Sequence, residues 1–272
     1  ATVAIMHSQS IYWRTNQGKI RRKNSPEDVR ELAHFFIRER EALEMKFDQT
    51  TGTFQKMPMS GELPRTTPSG KGGVKPTLWT LLTEQRRFNA QLDTYQTTYS
   101  DDYSSHPEYL YLLQQLSHSQ DTTNRLLALL VQSVAAKIRD IVLYYARKYP
   151  TIRVRVQIED LRRSKIDPSA SIVQPNHYLT QEQTFSFYTR IQTSLVHLLR
   201  EYAIGVWRVA PIQGSQVCAL CGGKGSSQKN LFTCANNDHT NASGRAYTSK
   251  ANLNNARNIA LFPPLVKRPL VT

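Results

Sequence analysis

The chain has 272 residues, 39% of them hydrophobic, and carries 35 Lys and Arg against 21 Asp and Glu, a net charge of +14. That length is enough for one large domain, or for a domain with an inserted module. No apolar run approaches the ~18 residues of a membrane span, and the N-terminal ATVAIMHSQSIYW lacks the basic and apolar regions of a secretory leader; the dispersed cationic excess points to a polyanionic partner.

In chain order, residues 2–6 and 10–14 read as two short strands of β-branched and aromatic residues, expected to pair as a hairpin. The basic run Lys19-Ile20-Arg21-Arg22-Lys23 follows. Ser25-Pro26-Glu27-Asp28 has the composition of a helix start, with an N-cap, a first-turn proline and first-turn acids. It predicts a helix reaching about Phe47. Residues 48–76 are dense in Gly and Pro and read as a basic loop. Helices are expected over about 77–95, 106–117 and 121–149. In the last of these, Leu126, Leu129, Leu130, Val134, Ile138, Ile141, Val142 and Tyr145 form one apolar stripe at spacings of three and four. Ile152-Arg-Val-Arg-Val-Gln-Ile158 alternates strictly and predicts a strand with one buried face, ending at Glu159. A loop with Pro168 and Pro175, a helix over 180–202, a strand over 205–210 and a helix over 249–261 complete the pattern.

All three cysteines of the chain lie in one stretch: Cys218-x-x-Cys221, then Cys234. A two-residue gap lets both sulfurs reach one ion, and zinc favours four thiolate or imidazole ligands in a tetrahedron. Position 237, where a fourth thiolate would fit, is Asn237; His239 is the natural substitute, with Asp238 as a weaker candidate. Such a sulfur-rich site is structural rather than catalytic, because no coordination position stays open. Clustered cysteines of this spacing fit a reducing compartment better than a disulfide framework.

Three pieces then occur in order: Ile158-Glu159-Asp160-Leu161 closing a strand; Gly205-Val-Trp-Arg-Val209 leading to Gly214-Ser-Gln-Val-Cys-Ala-Leu-Cys-Gly222; and Phe232-Thr-Cys234 followed by Asn252-Leu-Asn-Asn-Ala-Arg-Asn-Ile-Ala260. This ordered set resembles the C-terminal half of the TnpB transposon-associated proteins and the related type V CRISPR effectors. The resemblance covers about residues 150–262, with residues 1–50 as a weaker continuation. It implies an α/β fold: an RNase H-like (RuvC-like) mixed sheet with a helical insertion and a small zinc-ribbon-type module. The implied organisation is 1–47 and 121–212 as RuvC-like core, 48–120 as basic loop and helical insertion, 213–248 as the zinc-binding target-nucleic-acid-binding module, and 249–272 as the final helix and tail.

The family's chemistry requires three acids holding two Mg²⁺ ions about 4 Å apart to cut a phosphodiester. The resemblance maps the middle acid onto Glu159. The last acid falls on Asn252, an amide and a poor ligand for a hard cation. The first belongs on a strand before Thr2, ahead of Ala1, where the sequence starts either by initiator-Met removal or at a fragment boundary. The expected protein is therefore a nuclease-deficient DNA binder, with a guide RNA as a further possible partner and no membrane association. It is expected in the cytoplasm, and on the nucleoid when bound to DNA. Two other readings stand beside it: an active Mg²⁺-dependent RNA-guided endonuclease fragment, and a remnant or protein-binding adaptor. Candidate phosphate contacts are Arg21, Arg22, Lys23, Arg162, Arg163, Lys224, Lys229, Arg245 and Lys250, with Tyr12, Trp13, Trp207, Phe232 and Tyr247 as candidate base-stacking rings.

Overall fold

The computed structural model describes residues 1–8, 12–14, 20–22, 29–57, 77–99, 103–151, 153–159, 181–209, 216–241 and 244–261. It is a mixed α/β protein whose strands form small sheets. Strand β1 (Thr2–Ser8) pairs antiparallel with β4 (Val29–Phe36), from Thr2 opposite Phe36 to Ser8 opposite Val29. This corrects two expectations. The first strand does not pair with the second: β2 (Tyr12–Arg14) pairs with β3 (Ile20–Arg22), inside the basic run. And residues 29–36 are a strand, not the body of a helix. Ile5 pairs with Ala33 and Met6 with Glu31, so Leu32 is an extra residue between the two pairs. Such a bulge breaks the period of two, hiding the strand from sequence patterning.

Among the described residues the helical expectation survives only as the short α1 (Glu39–Leu43). It leads into the hairpin of β5 (Met45–Asp48), at the end of the expected helix, and β6 (Thr53–Lys56), within the stretch read as loop. Gly52 in its turn has φ +70°, and a Cβ there would lie 2.5 Å from the Tyr144 ring.

Helix α2 (Leu78–Thr98) begins on Thr77, whose hydroxyl accepts the Thr80 N–H. Helix α3 (Pro107–Lys148) is one uninterrupted helix where two were expected. The polar stretch at Ser117–Asp121 suggested a break, but it contains neither Gly nor Pro. The Thr123 hydroxyl donates back to the Ser119 carbonyl at 2.8 Å within the helix. Gln85 bonds Thr123 and Gln96 bonds Tyr109, so α2 and α3 run antiparallel.

The main core gathers on the C-terminal half of α3. Leu130, Val134, Ile138, Ile141, Val142 and Tyr145 are buried as the stripe predicted, whereas Leu129 is 43% exposed. Against them pack Ile37, Phe47, Ile191, Leu195, Leu199 and Val206. A second cluster, Leu92, Tyr109 and Leu116, lies at the other end of the α2–α3 pair.

Strand β7 (Val156–Glu159) is shorter than the alternation suggested. Helix α4 (Gln181–Arg200) connects it to β8 (Val206–Val209), which pairs with it in parallel, from Val156 opposite Val206 to Glu159 opposite Val209. After β8 come β9 (Gly225–Gln228), β10 (Leu231–Cys234) and β11 (Thr248–Lys250), a three-stranded sheet, and then α5 (Ala251–Leu261). No helix among the described residues is long and apolar enough to cross a membrane.

Candidate metal centre and its seat on the core

The centre is assembled by the β9–β10–β11 sheet and the loop before it. Gly222 adopts φ +72° directly after the second cysteine. Its N–H donates to the Cys218 carbonyl at 2.9 Å, and the Cys218 N–H donates to the Gly223 carbonyl at 2.8 Å. This tight turn puts Cys218 and Cys221 on the same side. The return depends on Lys229 and Asn230, both at positive φ (45° and 66°), the requirement of a two-residue hairpin whose twist matches its strands. Gly225 has no room for a side chain, since a Cβ would lie 2.3 Å from the Phe232 ring and 2.4 Å from the Thr233 carbonyl. The close approach lets Cys234 arrive beside the first two cysteines.

The ligand atoms of Cys218, Cys221, Cys234 and His239 all lie within 4.8 Å of one another. Cys221 and Cys234 sulfurs are 3.6 Å apart and Cys218 Sγ lies 3.4 Å from His239 Nδ1. A tetrahedron with metal–sulfur bonds of ~2.3 Å has S···S edges of about 3.8 Å. A disulfide would need ~2.05 Å. These four residues could hold a metal ion. Asp238 is not among them: it is exposed, and its N–H donates to the Asn236 side chain. Two backbone donors aim at sulfur, Gly223 N–H to Cys221 and Asn236 N–H to Cys234, both at 3.4 Å. They favour thiolates.

Burial pushes the Cys218 thiol up to about 12 and raises Cys234 as well. Burial is also the largest single influence on Cys221, and it acts upward. There the Gly223 N–H and the neighbouring thiols outweigh it, and the group is lowered.

The module is fastened to α5, and sequence reasoning missed how. Asn254 is fully buried and Asn258 nearly so. Asn254 accepts the Ala219 N–H at 3.0 Å and donates to the Val217 carbonyl at 2.8 Å; Asn258 donates to the same carbonyl at 2.9 Å. Both amides thus satisfy main chain in the loop that carries Cys218. Their spacing of four residues on a helix was the available signal, since it places them on one face. Asn254→Ala would leave a buried donor without a partner and cost Val217 one of its two bonds. We expect a loss of about 2–4 kcal/mol in urea unfolding, from ~1–3 per stranded group; a loss under about 0.5 would contradict the clamp.

A second tie runs through the imidazole. His239 stacks on Tyr247 with ring centres 4.5 Å apart. The Tyr247 hydroxyl accepts from Arg257 Nη1 at 2.8 Å, and the same guanidinium pairs with Glu31 of β4. Gln157 of β7 donates to the Ile259 and Ala260 carbonyls of α5.

Of the proposed nuclease positions, Glu159 ends β7 and Asn252 is the second residue of α5, where it is exposed. Both line one cleft of about 1380 Å³. Gln192 donates to the Glu159 main-chain carbonyl at 3.0 Å. Among the candidate phosphate contacts, Lys224, Lys229, Arg245 and Lys250 are exposed on the module, and Lys250 Nζ sits 4.7 Å over the Phe36 ring. Arg21 and Arg22 lie in β3. Lys23, Asp160, Arg162 and Arg163 lie outside the described residues. Phe232 is fully buried, so it is a core ring of the module and not a base-stacking one; Tyr247 is engaged by His239. Trp207 lines the cleft. No protein-family model matches the chain, and no curated protein matches it.

Proposed function

We propose that this protein binds DNA through a zinc-ordered basic module seated on an RNase H-like (RuvC-like) core, and that it does not cut what it binds. The reading aligns it with the TnpB and type V effector proteins, in which a guide RNA supplies sequence choice. The observation that carries it is the charge of the metal module. Residues 216–250 hold four basic side chains, all exposed, and a single acid, Asp238. Zinc is the ion that best suits three thiolates and an imidazole in a closed tetrahedral set. The parallel β7–α4–β8 crossover, with Glu159 at the strand's C-terminal end and α5 beside it, supports the core assignment. The loss of cleavage rests on Asn252: a neutral amide in the place of the last acid offsets little of the repulsion between two dications.

The test is a salt titration of DNA binding. The module's four cations contribute a slope of about −3.6 in log K against log salt if each meets a phosphate, from ~0.9 per contact. Replacing Lys224, Lys229, Arg245 and Lys250 with Gln is expected to remove most of that slope. A flat response in the unaltered protein would overturn the reading and favour a protein-binding adaptor. With Mg²⁺ present, DNA is expected to remain intact; cleavage that Glu159→Gln abolishes would instead establish the endonuclease.

A further inference from the structure

The far end of the α2–α3 pair carries a charge opposite to that of the whole chain. From residue 88 to 124 there are five acids and no Lys or Arg, in a protein whose net charge is +14. The field there repels the polyanion that the basic surface attracts. The small core of this end, built on Leu92, Tyr109 and Leu116, is drawn wholly from the two helices and the turn Tyr103–Ser105 between them. On α3 the inward residues Tyr109, Leu112, Leu116, Ser119 and Thr123 recur at alternating steps of three and four, the spacing of a coiled-coil seam. A second series follows one position later: Leu110, Leu113, Ser117, Gln120 and Asn124, all exposed. One residue is a rotation of ~100° about the helix, so this series lines the flank beside the seam.

Toward the base of the pair this flank already takes a third helix. Gln120, Asn124 and Leu127, the next residue of the series, line a niche together with Phe187 and Arg190 of α4. Toward the tip, Leu110 and Leu113 remain 51% and 39% exposed. Tyr99, also exposed, stacks on His106 one turn before Leu110, with ring centres 5.1 Å apart, and extends the apolar strip. Acids rim it. Gln96 donates to the Tyr109 hydroxyl, so in the antiparallel pair Asp93, three residues earlier, comes level with Leu112 and Leu113. Asp93 and Glu108 are both exposed.

We propose that this flank docks one amphipathic helix of a basic partner protein, its apolar stripe on Leu110 and Leu113 and its Lys or Arg residues toward the acids of the tip. The partner helix repeats at the tip the three-helix packing that α4 supplies at the base. Charge and apolar surface together select this occupant. A nucleic-acid strand would bring phosphates to a stretch without a cation. A second copy meeting the same face about a two-fold axis would bring two acidic tips together. A second copy meeting it head to tail through its basic metal module would offer, among the described residues, Leu231 as its one exposed large apolar side chain. Nothing in this geometry depends on DNA binding.

The test titrates the full chain into a labelled helical peptide of about 18 residues, with Leu at heptad positions a and d and Lys or Gln elsewhere. Binding is read by fluorescence anisotropy. The expected result is saturable binding in the micromolar range that weakens with salt, together with slower hydrogen exchange over 106–117. Leu110→Gln with Leu113→Gln, at exposed positions and so without effect on Tm, is expected to weaken binding about tenfold or more. Asp93→Asn with Glu108→Gln is expected to flatten the salt dependence. Replacing the module's four cations with Gln should leave the affinity unchanged. No saturable binding, equal binding of a peptide with Ser for every Leu, or unchanged affinity in the double leucine variant overturns the proposal. So does self-association that the double leucine variant abolishes, which would give the face to a second copy. A negative result here leaves the salt dependence of DNA binding unchanged, and the two readings fail separately.

Discussion

Chelating the metal is expected to unfold residues 216–250 while α3 and α4 stay helical. The module's buried core is Cys218, Phe232 and Cys234, and its strands are three or four residues long. One phenylalanine cannot repay the chain entropy of some thirty ordered residues at ~1–2 kcal/mol each. Structural zinc contributes about 10–16 kcal/mol in comparable small units. Cys218→Ser should therefore lower metal affinity by more than the ~10–100-fold typical of losing an outer-shell partner. Protons set the pH dependence. Burial raises Cys218 to about 12 and Cys234 in the same direction, so the metal-free thiols hold their protons and the ion must displace them. Affinity accordingly rises with pH and falls on acidification. Elemental analysis should give about one zinc per chain at pH 8 and less at pH 5. Folded protein with no metal would overturn the assignment.

Arg257→Met is the second large effect. The guanidinium is 12% exposed and the Glu31 carboxylate 21% exposed, and Arg257 also serves Tyr247 and Ser249. Removing one partner of this partly buried pair strands the other charge, at a cost approaching the ~3–5 kcal/mol of a fully buried one. Among the described residues Glu31 keeps only His34, 2.6 Å away on an exposed site. Urea unfolding of the single variant, and of the double variant with Glu31→Leu, separates the loss of the pair from the cost of the stranded charge: the double variant should recover much of the stability. A single-variant loss below about 1 kcal/mol would show the pair to be screened. Because Arg257 orients Tyr247 against His239, the same variant should weaken metal binding roughly tenfold or more.

The cluster that could hold a metal was legible because its chemistry is local. Cys-x-x-Cys and a turn glycine define a knuckle whatever surrounds them, and His239 is the nearest imidazole. The apolar stripe of α3 was legible for the same reason, being a run of contacts at three and four residues. What was hidden depends on distant partners. Ser25-Pro26-Glu27-Asp28 carries every local mark of a helix start, yet residues 29–36 pair with β1, since pairing there packs Ala33 and Phe35 into the core. Strand β9 reads Gly-Ser-Ser-Gln, with no apolar residue to announce it. It is a strand because β10 lies beside it, and β10 is there because Cys234 must return to Cys221.

Asn254 and Asn258 bear on any attempt to move the metal module between proteins. A cut at residue 248, where the composition changes, would separate the knuckle from the side chains that complete its main-chain bonding. The transplantable unit runs to Leu261 and includes a helix that belongs equally to the recipient's core. Whatever receives it must supply a counterpart of Glu31 for Arg257 and of Gln157 for the helix end. The module is thus less a cassette than a graft, whose compatibility is decided on α5.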